Sequence, residues 1–265
     1  MSRTRCSGSP ATTAPRRPRC SRCSAPIRDS RSTPRASGVS IPTAAPLGAP
    51  LADVRFAVVD VETTGRGTWL GDRMIEIAIV EVRGGSIVDQ YETLLNPGQR
   101  ISGAITGLTG ITTDMVMHAP YFDHVADEVA GRLTGRVFVA HNATFDWSFV
   151  SSELVAATGE APDVPRLCTV RMCRRLVPQL RHRNLDVLAR HFGVTIHPRH
   201  RAGGDALATA RVLIRLLDEA AGLGIEDVAT LTWYLGRHRQ PKRFDPQQYA
   251  LDLPGYERKV RRPWR

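Results

Sequence analysis

Lysine is almost missing from this chain of 265 residues: only two of its 36 basic side chains are Lys and the rest are Arg. The bias points to a GC-rich coding sequence rather than to chemistry. Cysteine is scarce as well. Five in a chain this long do not make a disulfide framework, and an odd number fits a reducing compartment. No apolar run approaches the roughly 18 residues that span a bilayer, which excludes a transmembrane helix. The basic N-terminus has no apolar stretch behind it, so it does not read as a secretory signal. Aromatic residues are only 6% of the chain, but 42% is hydrophobic, which suffices for one real core and excludes a wholly disordered protein. The length suits one ordinary domain with extensions, or two small ones.

Acidic residues are nearly absent from the two ends. Residues 1–52 carry nine Arg against Asp29 alone, and residues 237–265 carry nine Lys or Arg against three acids. The middle, 53–236, has 18 basic and 22 acidic side chains and is slightly acidic. Basic ends attract polyanions such as nucleic acid without sequence preference, or they are simply solvated. Residues 1–52 are rich in Ser, Pro, Ala, Thr and Arg without periodicity, which predicts a disordered extension. It reads as a native basic tail, as an organelle transit peptide, or as a stretch included by choice of start site. Cys20-Ser-Arg-Cys23, with Cys6 nearby, lacks the second pair a zinc site needs.

Order is expected from Val54. Phe56–Val61 is a short apolar run, predicted as a buried central strand that stops at Thr63-Thr-Gly65. Met74–Arg83 is a second strand, Gly84-Gly85 a hairpin turn, and Ile87–Leu95 the returning strand, so the first three strands form an antiparallel meander. The spacing predicts helices over Tyr121–Leu133, Phe145–Ala157 (capped by Asn142 or Thr144), Thr169–Leu176, Leu185–Phe192, Asp205–Ala221 and Ile225–Leu235, and a short strand over Val137–Ala140. The sum is a mixed sheet flanked by helices, in the α/β to α+β range. Three segments follow: 1–52 as a basic, disordered extension, 53–222 as the folded domain, and 223–265 as a short helix with a basic tail.

Asp60 and Glu62 stand two apart on the first strand, so both side chains share a face. Two carboxylates at the end of an apolar strand are costly without positive charge. No Arg or Lys lies within the motif, which favours a divalent cation over a salt bridge. Asp146 and Asp205 fall near the starts of predicted helices, where a single acid is usually only a dipole partner. Together the four carboxylates, from separate segments, suit two hard cations that flank a phosphodiester. His200, five residues before Asp205, can then serve as general base, because imidazole ordinarily titrates near neutrality. His141 more readily packs structurally than binds metal. Cys168 and Cys173 read as ordinary semi-buried thiols. Nine Arg between 166 and 201 face Asp186 as the sole acid, and part of this segment reads as a phosphate-facing surface or as solvated helix faces.

Val59-Asp-Val-Glu-Thr-Thr-Gly65, Asn142-Ala-Thr-Phe-Asp146 and His200-Arg-Ala-Gly-Gly-Asp205 resemble, in order and spacing, the three motifs of the DEDDh 3′→5′ exonucleases, which have a ribonuclease H-like fold. The resemblance covers about residues 55–220, including Ile105-Thr-Gly-Leu-Thr-Gly-Ile111, and is closest in pattern to the proofreading epsilon subunits of bacterial DNA polymerase III. It implies that Asp60, Glu62 and Asp205 are metal ligands, that Asp146 holds the second ion, and that His200 is the base. It further implies two Mg²⁺ ions, with Mn²⁺ as a substitute, and Thr63, Thr64, Gly65, Asn142 and Phe145 as substrate-binding positions. The implied reaction releases nucleoside 5′-monophosphates from single-stranded DNA or frayed 3′ ends, in proofreading or repair. An RNA-directed relative of the oligoribonuclease or RNase T type is the alternative, as is a non-catalytic nucleic-acid tether. Thr63, where oligoribonuclease-like proteins tend to have Met, favours DNA. Gly203 departs from the family, which often has a larger apolar residue there, and is expected to loosen the loop that holds His200. Gln248-Tyr-Ala-Leu251-Asp-Leu253 resembles the peptide with which bacterial replication proteins dock on the sliding clamp, and a polymerase subunit is a further candidate partner. The expected location is the bacterial cytoplasm at the nucleoid, or an organelle if residues 1–52 are a transit peptide.

Overall fold

The computed structural model describes residues 48–236. The Cys20–Cys23 pair, both basic ends and the Gln248–Leu253 peptide therefore lie outside the described residues. A five-stranded sheet forms the frame. It comprises β1 (Phe56–Thr63), β2 (Met74–Arg83), β3 (Ser86–Leu94), β4 (Val137–Ala140) and β5 (Arg166–Cys168), in the order β3-β2-β1-β4-β5. β1 runs antiparallel to β2 and parallel to β4. β2 and β3 are antiparallel, and β4 and β5 are parallel. The expected antiparallel meander is therefore present, with β1 at the centre of a mixed sheet. Gly84 and Gly85 take positive φ values of 57° and 71°, the left-handed pair that a two-residue hairpin turn requires.

Both faces of the sheet are covered. Phe56, Val58, Val80, Val82, Val137 and Val139 pack with α5 (Thr169–Leu176), α6 (Leu185–Phe192), α7 (Ala202–Gly222) and α8 (Val228–Gly236). Ala57, Val59, Val61, Ile77, Ile79 and Phe138 pack on the other side with α3 (Ala126–Leu133) and α4 (Ala143–Thr158). Double coverage explains why β1 is a continuous apolar run, and why every residue of β2 except Arg83 is buried. It also buries two carboxylates of β2, each beside arginine: Glu81 accepts from Arg55 and Arg136, and Glu76 accepts from Arg201. A smaller cluster of Ile75, Ile101, Ile111 and Val116 seats α1 (Gly103–Thr109) and α2 (Thr113–Val116) at the edge of the sheet. Leu51 donates its N–H to the Glu226 carbonyl (2.7 Å), which ties the entering chain to the start of α8.

Three sequence expectations need correction. The helix expected over Tyr121–Leu133 is split: Phe122–His124 is a 3-10 turn, and α3 starts only at Ala126, because Val125 (φ −116°, ψ 0°) leaves the helical region. Asn142 occupies the N-cap place of α4 but with a left-handed backbone (φ 76°), and neither its side chain nor that of Thr144, which lies inside the helix, caps it. α7 begins at Ala202 rather than Asp205, so Gly203 and Gly204 form its first turn. α1, α2 and β5 are elements that the sequence pattern does not announce.

Candidate metal centre and catalytic loop

β1 and β4 are parallel, so the chain leaves both at the same end of the sheet. Asp60 and Glu62 lie at that end of β1, in phase with Val58 and on the face covered by α7. α7 starts above them and carries Asp205, 4% exposed, in its first turn. One carboxylate oxygen from each of Asp60, Glu62 and Asp205 can be chosen so that all three lie within 4.8 Å of one another. Asp146, in the first turn of α4 and 3% exposed, reaches the same strand from the other direction, where its carboxylate meets the Val61 backbone N–H.

Four acids packed this closely cannot all stay ionised without added positive charge. Burial, then the charges of Asp146, Asp205 and Glu62, push the Asp60 carboxyl well above its ordinary range. Burial raises Asp146 to about 8. Burial, then Asp205 and Glu76, raises Glu62 to about 7. Asp205 is raised as well, by burial, against the opposing pull of Arg199. Its Oδ1 is buried and has no hydrogen-bond partner among the described residues. An all-oxygen donor set, an orphaned buried oxygen and a deficit of positive charge fit divalent cations, which Asp60, Glu62, Asp146 and Asp205 are placed to hold.

His200 lies at the entry to α7, with a left-handed backbone (φ 56°) and its N–H directed at Asp205 Oδ2 (3.3 Å). An arginine stands on either side of it. Arg199 bonds Asp186 (2.9 Å) on α6 and also contacts Asp205. Arg201 forks onto the buried Glu76. The segment 166–201 thus spends at least these two of its arginines on ion pairs, while Arg171, Arg174, Arg181 and Arg190 stay exposed. Sequence reading missed Glu76, Arg199 and Arg201. Glu76 alternates with Ile75 and Ile77 in the sequence, as a solvent-facing strand residue would, and its arginine is 125 residues away.

Beyond Glu62, the Thr63 hydroxyl donates to the Gly65 carbonyl, and Thr64 donates to Asp72 while accepting from the Arg73 N–H and Gln99. A Cβ on Gly65 would lie 2.3 Å from the Asp72 carboxylate, so only glycine lets this loop close. Phe145 packs against Phe149, and Asn142 is exposed at the same end of the sheet. His141 bonds the Thr169 hydroxyl through Nδ1 (2.9 Å), and burial, with Arg199 nearby, lowers it to about 4, so it stays neutral and joins β4 to α5. A Cβ on Gly203 would meet only the carboxylate end of the half-exposed Glu92, which can move aside, whereas one on Gly204 would collide with the Pro198 backbone carbonyl, so Gly204 is the glycine that lets the loop close tightly.

Residues 57–213 match the RNase T family, described as Exonuclease. The chain is 39% identical over 176 residues to a PolC-type DNA polymerase III of Caldanaerobacter subterraneus subsp. tengcongensis, covering 66% of this chain and 12% of that one. It is 38% identical over 165 residues to the 3′-5′ exonuclease DinG of Bacillus subtilis, covering 62% of this chain and 18% of that protein. It spans only a small fraction, about a seventh, of the length of the PolC-type relatives. Among solved structures, Exonuclease X in complex with 5′ overhanging duplex DNA superposes with a TM-score of 0.53 at 28% identity, over 69% of this chain and 99% of that one. Escherichia coli Exonuclease I with a dA16 oligonucleotide shares the fold, with a TM-score of 0.55 at 19% identity over 63% of this chain and 42% of that one. The family match takes in more than half of the sequence, every strand of the sheet and all four clustered acids, and so the chain belongs to the RNase T family of exonucleases.

Proposed function

We propose that this chain is a 3′→5′ exonuclease that removes nucleoside 5′-monophosphates from single-stranded or frayed 3′ ends of DNA. The observation that carries the reading is the nest of Asp60, Glu62 and Asp205, with Asp146 beside it and His200 at its edge. PolC-type polymerases and the 3′-5′ exonuclease DinG among the relatives support the direction and the DNA substrate.

In this reading Asp60, Glu62 and Asp205 hold one divalent cation and Asp146 helps to hold a second, Mg²⁺ by preference and Mn²⁺ as a substitute. Cations bound there supply positive charge to the scissile phosphodiester. The loop of Thr63, Thr64 and Gly65, fixed through Asp72 and Gln99, lies against the terminal nucleotide, with Asn142 and Phe145 bordering it. His200 takes a proton on a ring nitrogen from the attacking water. The water oxygen bonds to phosphorus, the bond from phosphorus to the 3′ oxygen of the preceding nucleotide breaks, and that oxygen takes up a proton from solvent, so that the strand ends in a new 3′ hydroxyl. Proofreading or repair in the bacterial cytoplasm fits this activity, with a polymerase subunit and the sliding clamp (through Gln248–Leu253) as partners. Pull-down of the clamp should be lost in Gln248→Ala/Leu251→Ala.

The test is a gel assay on 5′-labelled and 3′-labelled single-stranded DNA with Mg²⁺, Mn²⁺ or EDTA, beside Asp60→Ala. The expected result is a metal-dependent ladder from the 5′ label and early mononucleotide from the 3′ label. Activity on RNA but not DNA would transfer the reading to an exoribonuclease. Binding without any cleavage would leave a tether.

A further inference from the structure

A general base works only if its ring is held where the water arrives, and His200 sits on a loop, not on a strand or helix. Its left-handed backbone is uncommon for a residue with a side chain, and such a conformation persists only where the surroundings over-determine it. Arg199 and Arg201 flank it with ion pairs. Arg199 pairs with Asp186, a half-exposed contact that water screens, and with the buried Asp205, which ties the loop to α7 itself. The Arg201–Glu76 pair is different. The Glu76 side chain is 1% exposed and accepts from Arg201 Nε at 3.0 and 3.1 Å, from Arg201 Nη2 at 2.5 Å and from the Ala202 backbone N–H at 2.7 Å. A buried, forked, charge-assisted pair of this kind fixes direction as well as distance.

Its location gives the constraint a use. Glu76 lies on β2 directly opposite Glu62 on β1, so the loop is bolted to the same strands that carry the first two acids. The bolt grips the two residues immediately after His200. Gly204 leaves no room for a Cβ beneath the Pro198 carbonyl, and Glu92 lies 3.8 Å from Arg201, so the loop closes down onto the anchored side.

We propose that Glu76 and Arg201 are positioning residues that hold the His200 ring for proton transfer in the exonuclease reaction. The proposal rests on the reading of His200 as the base. Glu76 and Arg201 act on the base through the backbone of residues 200–202, which the fork onto Glu76 fixes.

The experiment is a double-mutant cycle on the full chain: wild type, Arg201→Ala, His200→Ala and the double variant, with Arg201→Lys as the conservative change. Readouts are kcat and KM on a single-stranded oligonucleotide with Mg²⁺, Mn²⁺ affinity by calorimetry, and Tm. Misplacement of a catalytic group by about an ångström costs on the order of 10²-fold in rate. Arg201→Ala is expected to lose about that factor in kcat, with KM and Mn²⁺ affinity unchanged. Arg201→Lys keeps the charge but not the fork, and should fall between. In the His200→Ala background, Arg201→Ala should cost nothing further. An equal loss in both backgrounds, or a parallel loss of Mn²⁺ affinity, would overturn the proposal, since the pair would then serve the fold or the metal ligands. Full activity of His200→Ala alone would instead refute the base. Should Arg201→Ala not fold, the same cycle run with Arg201→Lys decides between these outcomes: a loss confined to the chain that has His200 supports the proposal, and an equal loss without it overturns it.

Discussion

Asp146 and Glu62 set a pH dependence that can be read without substrate. Their folded-state values, about 8 and about 7, lie above the ordinary carboxylate value near 4. The folded chain therefore binds more protons than the unfolded chain between those limits, and stability falls as pH rises through the window. In EDTA, Tm should drop between pH 5 and pH 8, and saturating Mg²⁺ or Mn²⁺ should remove the drop, because a cation replaces the proton. A thermal scan in EDTA that stayed level or rose over this range would show that these acids are not buried as described. Turnover is expected to vanish in Asp60→Ala and Asp205→Ala. His200→Ala should lose roughly 10²–10⁴ in rate yet keep cation binding. Calorimetry with Mn²⁺ beside a single-turnover assay separates the two kinds of loss.

The residues that were legible in the sequence are those whose local setting is wrong for them. Two acids ending an apolar strand announce a charge problem, and Asp60 with Glu62 was readable for that reason. Glu76 is equally buried, but it sits among alternating residues where a Glu looks at home. Only the fold brings Arg201 to it. The same limit hid the close approach at Gly204, whose lack of a side chain has no evident reason until the Pro198 carbonyl is seen against it.

α7 shows how one element can serve both core and site. Val212, Leu213 and Leu216 are fully buried against the sheet, while Asp205 at the other end of the helix meets β1. Its 21 residues repeat the apolar pattern often enough to be read from the sequence. β1 and β2 were legible for a similar reason, since their apolar runs end at glycine-containing turns. α1 and α2 were not. They span seven and four residues, α1 contains two glycines, and their stability comes from the side-chain caps Ser102 and Thr112 and from burial beside Ile75. Leu213→Ala should lower stability by about 2–5 kcal/mol through the cavity it leaves. A urea titration checks this, and at low temperature the folded fraction should keep full activity per molecule, because the cavity opens eight residues away from Asp205. An activity loss with an unmoved urea midpoint would mean that α7 positions the acids rather than simply supporting them.

At the scale of the whole molecule the charge is divided against itself. The segment that folds around the acids, 53–236, carries an excess of acid, and in the proposed function it has to receive a polyanion. Cations at the nest correct that only locally. The basic residues of 1–52 and 237–265 supply the opposite field, and their arginines and lysines can neutralise backbone phosphates wherever the strand lies. This division predicts separable functions: the terminal charges set how tightly and how salt-dependently a strand is held, and the nest sets how fast it is cut. Replacing Arg258, Lys259, Arg261 and Arg262 by Gln should make the plot of log affinity against log salt shallower, by about 0.7 for each single-strand phosphate those residues neutralise. The binding is best measured in EDTA, where no strand is consumed. kcat at saturating DNA with Mg²⁺ should not change. If the slope were the same as in the intact chain, these four charges would have no part in binding the strand. If instead kcat fell while the slope held, those residues would be acting on the chemical step, against the division of labour argued here.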